Sequence, residues 1–188
     1  MTILQNFDQA VLDMMQSLRC GFLDSFVIYL SYVTTSGIIW VVLGVVMLFI
    51  RKTRSTGIIL LSSLALVFLT GDLFLKHVIN RARPFSVNPD IMLLIKTPSG
   101  ASFPSTHSCL AAASTVVLFA KNKTLGFAAL ALTLCIAFSR LYLYVHYPTD
   151  VLSGLLLGVL CAWLVLHIFR KVSLGKRCQE MQDSVLHS

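Results

Sequence analysis

The stretch Ser139–Asp150, with the sequence S-R-L-Y-L-Y-V-H-Y-P-T-D, places three ionisable side chains of functional type in a very apolar chain. Arg140 has a planar fork of N–H donors that suits a phosphate group. His146 precedes Asp150 by four residues, so the carboxylate is within reach to hold the imidazole ring in one tautomer. Ionisable groups are costly in an apolar environment and mark functional sites there. The stretch therefore indicates a histidine nucleophile beside a clamp for an anion.

Two further stretches supply residues that this one lacks. K-H-V-I-N-R-A-R-P runs from Lys76 to Pro84, and P-S-T-H runs from Pro104 to His107. In this order the three stretches resemble the signatures K-x6-R-P, P-S-G-H and S-R-x5-H-x3-D of the type 2 phosphatidic acid phosphatases. These are membrane lipid phosphatases related to vanadium haloperoxidases. One position departs from the pattern, because Thr106 stands where the family most often has glycine. We expect this change to alter the substrate preference and not to abolish activity.

The resemblance implies a site and a mechanism. His146 attacks phosphorus and forms a phosphohistidine, while Asp150 holds the other ring nitrogen. His107 protonates the departing oxygen and then activates the water that releases phosphate; spacing alone would leave the two histidines interchangeable. The substrate phosphate is bound by Lys76, Arg83, Ser105, Thr106 and Arg140. No metal or other cofactor is implied, because no cluster of carboxylates accompanies the motifs.

The composition is that of an integral membrane protein. Of 188 residues, 56% are hydrophobic and only 12% are charged, and the mean hydropathy is +0.82, which is too apolar for an ordinary soluble domain. The net charge of +7 comes from short basic clusters between apolar runs, a pattern of membrane loops that argues against a nucleic-acid partner. The five cysteines lie mostly inside apolar runs and are expected to act as small core residues.

The hydropathy pattern predicts an all-α, polytopic membrane helix bundle of about five transmembrane helices, preceded by an amphipathic interfacial helix over residues 1–20. In that first helix Asp8 and Asp13 lie between apolar residues at helical spacing. The runs long enough to span a bilayer are residues 22–50, 57–80, 104–120, 125–143 and 148–169. Gly37 predicts a kink in the first span, and Gly154 with Gly158 predicts a seam for close packing in the last.

The basic residues predict the orientation. Alternating spans place nine Lys and Arg residues on one side and six on the other, and three of those six belong to the motifs. The richer side is cytoplasmic by the positive-inside rule. We therefore expect a multi-pass protein of the cell membrane with its active site on the extracytoplasmic face. The whole chain, residues 1–188, is expected to be one domain, with core motifs over 76–150 and a cytoplasmic tail over 170–188.

Other charged and apolar residues near the motifs carry expectations of their own. Asp72, Lys76 and Arg83 share one predicted helix face, and the sequence leaves open whether Asp72 does more than neutralise Lys76. Arg81 points off that face and is interpreted as a headgroup anchor. The apolar segment 91–95 of the following loop either packs on the protein or dips into the interface.

The short chain and amphipathic start resemble small bacterial family members that hydrolyse undecaprenyl diphosphate to undecaprenyl phosphate and phosphate. Phosphatidate and phosphatidylglycerol phosphate phosphatases carry the same motifs. The expected partners are therefore a lipid phosphate or diphosphate and the membrane lipids. Two other classes fit less well. A haem-binding membrane protein would have no use for the Arg and Lys residues of the motifs. A transporter of anions or lipids would need broken helices at mid-membrane and an internal repeat, and the sequence shows neither pattern.

Overall fold

A computed structural model describes the backbone of residues 3–186 and the side chains of residues 3–35 and 37–173. This part of the chain consists of helices and their connecting loops. The all-α prediction is confirmed. In chain order the helices are α1 (Ile3–Ser17), α2 (Gly21–Val33), α3 (Ile38–Phe49), α4 (Arg54–Val67), α5 (Lys76–Ile79), α6 (Pro84–Val87), α7 (Thr106–Lys121), α8 (Lys123–Tyr142) and α9 (Pro148–Leu186). A π-helical segment, Phe68–Leu75, joins α4 to α5.

Helix α7 lies at the centre and packs against α4, α8 and α9. Its small side chains let these neighbours approach closely, and those of Cys109, Ala111 and Ala113 are completely buried. The predicted seam on α9 is confirmed. A Cβ atom added at Gly154 would lie 2.7 Å from the carbonyl oxygen of Ser105, and one at Gly158 would overlap the carbonyl oxygen of Cys109. The absence of side chains at these glycines allows the contact between α7 and α9.

The expected number of five membrane spans is not confirmed. Among the described residues, three helical segments are long and apolar enough to cross a bilayer, and α2 with α3 makes a fourth if this pair, bent by 46°, is counted as one span. The bend confirms the kink predicted at Gly37, whose φ of +69° favours glycine. Helix α7 has 16 residues, a length of about 24 Å at 1.5 Å per residue, which is less than the ~30 Å hydrocarbon core.

Helix α1 confirms the predicted N-terminal helix but not the predicted position of its polar residues. Asp13 is exposed, whereas Asp8 is 1% exposed and points into the protein. The large apolar residues on the exposed side are Ile3, Leu4, Phe7, Met14 and Leu18. The helix therefore presents an apolar face outward, as an interfacial helix does, while a carboxylate faces the bundle.

The segment 91–95 packs on the protein. Leu93, Leu94 and Ile95 contact a buried cluster that includes Val27 and Tyr142, so the packing interpretation holds for these three residues, although Met92 is exposed. At the other terminus, α9 continues through the segment predicted as a cytoplasmic tail. Its side chains beyond residue 173 lie outside the described part of the chain.

We predict that Gly158→Ala lowers the stability of the protein by about 1–3 kcal/mol, the usual cost of overpacking a tightly packed core. The added methyl group would overlap the Cys109 carbonyl oxygen and push α9 away from α7. Gly21→Ala is the matched control, because a Cβ atom there meets nothing within 4 Å. Thermal unfolding of both variants in one detergent measures the effect, and equal unfolding temperatures would show that the seam is not tight.

Candidate active site

The residues of all three motifs meet at one end of the bundle, where α5 and α8 end and α7 and α9 begin. They surround a cavity of about 240 Å³. Six of the predicted site residues line it: Lys76, Arg83, Thr106, His107, Arg140 and His146. The cavity has three cationic side chains and one carboxylate, Asp72, on its walls, a net charge of two positive when both histidines are neutral. It is therefore built to hold an anion.

His146 lies in the loop between α8 and α9 with its ring fixed in one tautomer. Its Nδ1 atom is 2.8 Å from the backbone carbonyl oxygen of Ser102. Because a carbonyl oxygen can only accept, Nδ1 must carry the proton. The Nε2 atom then holds a lone pair, which faces Nη1 of Arg83 at 3.4 Å. The nitrogen facing the anion clamp is thus the unprotonated one, as a nucleophile requires.

Asp150 does not hold the imidazole in the way we expected. Its Oδ2 atom is 3.8 Å from Nδ1 of His146, within the range of an ion pair but beyond hydrogen-bond distance. The carboxylate is completely buried and accepts hydrogen bonds from the Ser102 hydroxyl, from the backbone N–H of Tyr147 at 2.9 Å and from Arg81 at 2.6 Å. Asp150 therefore positions His146 indirectly, by fixing the backbone segments on both sides of the ring.

Burial sets the charge state of His146. The loss of solvent lowers its pKa to about 4, and the positive charge of Arg83 adds to the effect, while the nearby carboxylate of Asp150 opposes it. The imidazole is consequently neutral at pH 7. This is the form that can attack phosphorus.

The two arginines of the cavity are held in different ways. Arg83 is buried and donates to the backbone carbonyl oxygens of Gly100 at 2.9 Å, Val145 at 3.0 Å and Ser99 at 3.2 Å. It therefore joins the loop before α7 to the loop that carries His146. Arg140 donates through Nε and Nη2 to the Ser139 hydroxyl, and its Nη1 atom makes no hydrogen bond to the described residues.

Lys76, Asp72 and Thr106 form one hydrogen-bonded group on the cavity wall. Lys76 pairs with Oδ1 of Asp72 and donates to the Thr106 hydroxyl at 2.6 Å, and that hydroxyl donates to the same Asp72 oxygen at 2.9 Å. The side chain in place of the usual glycine thus links the first and second motifs. The other oxygen of Asp72 is buried without a hydrogen-bond partner among the described residues. Asp72 therefore accepts from the Thr106 hydroxyl as well as from Lys76.

Ser105 is behind the cavity wall and not in it. It is completely buried, its hydroxyl accepts from that of Ser108 at 3.0 Å, and its backbone N–H donates to the Asp150 carbonyl oxygen at 3.1 Å. Helix α7 begins at Thr106, two residues after the predicted start of this span at residue 104. The first-turn amides of Thr106 and His107 have no partner within the helix and lie where an anion would be favoured.

Arg81 does not lie where the sequence predicted. It is not a headgroup anchor, because its guanidinium group pairs with Asp8 at 2.7 Å and with Asp150 at 2.6 Å and lies 3.9 Å from the centre of the Tyr147 ring. The helical periodicity that predicted Arg81 to point away from Asp72, Lys76 and Arg83 does not extend to this residue. The helix ends at Asn80, whose φ is +43°, and the chain changes direction there. A long-range pair with Asp8 gives no signal in the local sequence.

The described residues offer no group of three or more His, Cys, Asp or Glu side chains that could hold a metal ion. Within that part of the chain the positive charge that faces the cavity comes from Lys76, Arg83 and Arg140. These side chains suit the oxygens of a phosphate group.

A membrane helix bundle with a neutral histidine against a cationic cavity defines a class of phosphate-handling membrane proteins. The comparison with known families narrows this class, because residues 25–173 match the PAP2 superfamily. The chain belongs to that superfamily, as the three motifs indicated.

Three similar proteins illustrate the range of the family. An undecaprenyl-diphosphatase of Sulfolobus acidocaldarius is 31% identical over 132 residues, 69% of this chain and 63% of that protein. A decaprenylphosphoryl-5-phosphoribose phosphatase of Mycolicibacterium smegmatis is 46% identical over 81 residues, 43% of this chain and 42% of that protein. The crystal structure of a PAP2-type phosphatidylglycerolphosphate phosphatase from Bacillus subtilis aligns with a TM-score of 0.76 and 29% identity, covering 92% of this chain and 89% of that one.

The match thus spans less than two thirds of the length of these two sequence relatives. The names of the three proteins specify three different lipid substrates, so the likeness supports the fold and the motifs more strongly than any one substrate.

We predict that His146 makes the protein less stable in mild acid. An ordinary histidine has a pKa near 6.5, whereas that of His146 is about 4 in the folded protein. Between these values the unfolded chain binds more protons, so the stability present above pH 6.5 is lost as the pH falls towards 4. The unfolding temperature of the wild type should therefore fall more between pH 6.5 and 4.5 than that of His146→Gln.

The exposed His167 provides the control for this measurement. His167→Gln should keep the wild-type dependence on pH. If His146→Gln also kept it, the imidazole would titrate near its ordinary value and its burial in a neutral form would be excluded.

Proposed function

We propose that this protein is a metal-independent lipid phosphatase that works through a phosphohistidine at His146. The observation that carries the proposal is the hydrogen bond between Nδ1 of His146 and the Ser102 carbonyl oxygen. It leaves the lone pair of Nε2 beside the cavity cations. The cations supply the electrostatic stabilisation that a phosphoryl group needs while a nucleophile approaches it.

The reaction follows from these positions. Burial and the nearby cations lower the pKa of His107 to about 3, and we expect the negative charge of a bound headgroup to raise it so that His107 takes up a proton. The Nε2 lone pair then attacks phosphorus, and the bond between phosphorus and the leaving oxygen breaks as His107 gives that oxygen its proton. His107, now neutral, takes a proton from water as the water oxygen attacks phosphorus. The N–P bond breaks, its electron pair returns to Nε2, and phosphate leaves. Lys76, Arg83 and Arg140 stabilise the charge on the phosphoryl oxygens in both steps.

An apolar wall beside the cations supports a lipid as the substrate. Phe68, Leu110 and Val145 line the cavity, and Phe68 is 52% exposed on the outside of the bundle. A lipid chain can therefore stay in the bilayer next to this residue while its headgroup enters the cavity. Burial of a long chain against such a wall would hold the phosphate in place without polar contacts to the tail.

We propose undecaprenyl diphosphate as the substrate, hydrolysed to undecaprenyl phosphate and phosphate. The support is the likeness to the undecaprenyl-diphosphatase of Sulfolobus acidocaldarius and the three cations of the cavity, which suit a highly charged headgroup. In this proposal the site faces outward from the cell membrane, because the opposite end of the bundle carries more Lys and Arg.

A phosphate monoester such as phosphatidylglycerol phosphate or phosphatidate is the second candidate. Asp72 favours it, because this carboxylate lies on the cavity wall and offsets the charge of Lys76. Arg81 adds nothing to the cavity, since Asp8 and Asp150 already engage it. With His107 neutral before the substrate binds, the net charge of two positive matches the charge of a monoester better than that of a diphosphate.

We predict that His146→Ala lowers kcat by several orders of magnitude, because it removes the nucleophile and leaves the cationic clamp in place. His167→Ala, which is exposed and outside the cavity, should keep wild-type activity. Phosphate release from lipid phosphates in detergent measures both, and it should continue in excess chelator. A His146→Ala enzyme with more than a few per cent of wild-type kcat would exclude this nucleophile.

We predict that Asp72→Asn shifts the preference towards diphosphates. The change raises the net charge of the cavity to three positive, so kcat/KM for undecaprenyl diphosphate relative to phosphatidate should rise at least threefold. Asp90→Asn makes the same charge change at an exposed loop position and should leave the ratio unchanged. An unchanged ratio in Asp72→Asn would mean that this carboxylate does not select the substrate.

The wild-type enzyme in the same assay decides between the two candidates. A preference of tenfold or more for undecaprenyl diphosphate in kcat/KM, about 1.4 kcal/mol of transition-state stabilisation, would support the first candidate. A tenfold preference for phosphatidate would exclude it and leave the phosphatase in place.

We predict that the site end of the bundle is outside the cell. In a background without Cys20, which is exposed, and without Cys178, a cysteine at Ser86 should react with a membrane-impermeant maleimide in intact cells. A cysteine at Asn122, between α7 and α8 at the opposite end, should react only after the cells are opened. The reverse pattern would overturn the orientation.

A further inference from the structure

Helix α1 lies outside residues 25–173 that match the family, yet it places a carboxylate beside the loop that carries His146. Asp8 is 1% exposed, and a buried carboxylate is costly unless it is paired and hydrogen-bonded. The exposed apolar residues of α1 explain contact with a lipid surface but not this inward acid. The position of Asp8 therefore calls for a different explanation.

Asp8 is fully paired with residues next to the catalytic loop. Its Oδ2 atom accepts from Nη2 of Arg81 at 2.7 Å and from the Thr149 hydroxyl at 2.7 Å, and its Oδ1 atom accepts from the Thr149 backbone N–H at 3.0 Å. Thr149 is the residue before Asp150. The carboxylate thus binds both the start of α9 and the side chain of Arg81.

The contacts continue from Arg81 to His146. Nη1 of Arg81 donates to Asp150 at 2.6 Å and to the Thr149 hydroxyl at 2.7 Å. Asp150 accepts from the Ser102 hydroxyl, and the Ser102 carbonyl oxygen accepts the Nδ1 proton of His146. Every step is a hydrogen bond at short range, and most are charge-assisted, which makes them stronger than neutral ones. The series connects α1 to the proposed nucleophile.

Two neutral contacts hold the same helix over the same loop. Gln9 donates to the Tyr144 hydroxyl at 3.1 Å, and Gln16 donates to the Tyr142 carbonyl oxygen at 3.2 Å. These contacts keep α1 in place without reaching Arg81. Docking of the helix is therefore separable from positioning of Arg81. We expect a change at Asp8 to disturb the position of Arg81 while α1 stays docked.

We propose that Asp8 is a positioning residue for the His146 nucleophile, acting through Arg81 and Asp150, so that α1 belongs to the active site. The proposal rests on the proposed function. Arg81 is shared between two carboxylates, and Asp8 sets the point at which its guanidinium meets Asp150. Without the charge on Asp8, Arg81 moves towards Asp150 alone, and the segment that holds the Ser102 carbonyl oxygen and the imidazole loses its fixed geometry. A small misplacement of a nucleophile costs much of its rate.

The test compares Asp8→Asn with Asp13→Asn in the full-length enzyme. Both remove one negative charge from α1, but Asp13 is exposed and bonds only to Gln9 on the same helix. The readouts are kcat and KM for phosphate release from dioleoyl phosphatidate or undecaprenyl diphosphate, whichever the wild type hydrolyses faster, and the inhibition constant of inorganic phosphate. Asp8→Asn should lower kcat at least tenfold while KM and the inhibition constant change less than twofold, because Lys76, Arg83 and Arg140 are untouched. Asp13→Asn should change none of the three by more than twofold.

A merely structural role would give a different result. Loss of folded enzyme lowers the amplitude of the phosphohistidine burst, whereas misplacement of His146 lowers its rate at full amplitude. A wild-type kcat in Asp8→Asn, or a fall in kcat that equals the fall in amplitude, would overturn the proposal.

If Asp8→Asn does not fold, Asp8→Glu decides. A kcat reduced at least threefold with an unchanged phosphate inhibition constant supports the proposal, and a wild-type kcat contradicts it. A wild-type enzyme that releases no phosphate would instead refute the proposed function.

Discussion

The carboxylate of Asp150 is the point on which the geometry of the site depends. It is completely buried at the start of α9, and it accepts from the Ser102 hydroxyl, the Tyr147 backbone N–H and the guanidinium group of Arg81. These donors belong to three segments that are distant in sequence. The arrangement places the Ser102 carbonyl oxygen against Nδ1 of His146, and this contact leaves Nε2, the proposed nucleophile, on the side of the cavity.

The cations of the cavity show how the chain balances burial against function. A buried guanidinium group is costly without partners. Arg83 offsets that cost by donating to the backbone carbonyl oxygens of Gly100, Val145 and Ser99. The same bonds fix the loops that form the cavity. Arg140 has fewer hydrogen-bond partners among the described residues, and its Nη1 atom makes no hydrogen bond to them. One arginine therefore fixes the loops of the cavity, and the other is the one we propose for binding substrate.

The motifs predicted the position of several residues correctly because their spacing fixes which helix ends they occupy. Arg140 lies in the last turn of α8, His146 follows in the connecting loop and Lys76 begins α5. The bundle brings these residues together because the helices pack side by side. The glycines of α9 predicted the close contact with α7 for the same reason, since a missing side chain is visible in the sequence. The all-helical class follows from the hydropathy pattern alone.

The errors arise where the chain leaves regular structure or pairs over long distances. Arg81 was misplaced because the helix ends at Asn80, and helical periodicity says nothing beyond that residue. Ser105 was expected in the cavity, but the backbone turn before α7 directs it inward to Ser108. The partnership of Asp8 with Arg81 joins residues 73 positions apart, and no local pattern encodes it.

The proposed phosphohistidine is tested most directly by a search for a covalent label on the enzyme. Rapid acid-free quenching of the full-length enzyme with ³²P-labelled lipid phosphate, followed by proteolysis and mass spectrometry, locates such a label. We predict an acid-labile, base-stable phosphoramidate on His146, formed at least as fast as phosphate is released. Label on another residue, or turnover that proceeds with no labelled enzyme at any time, would contradict it.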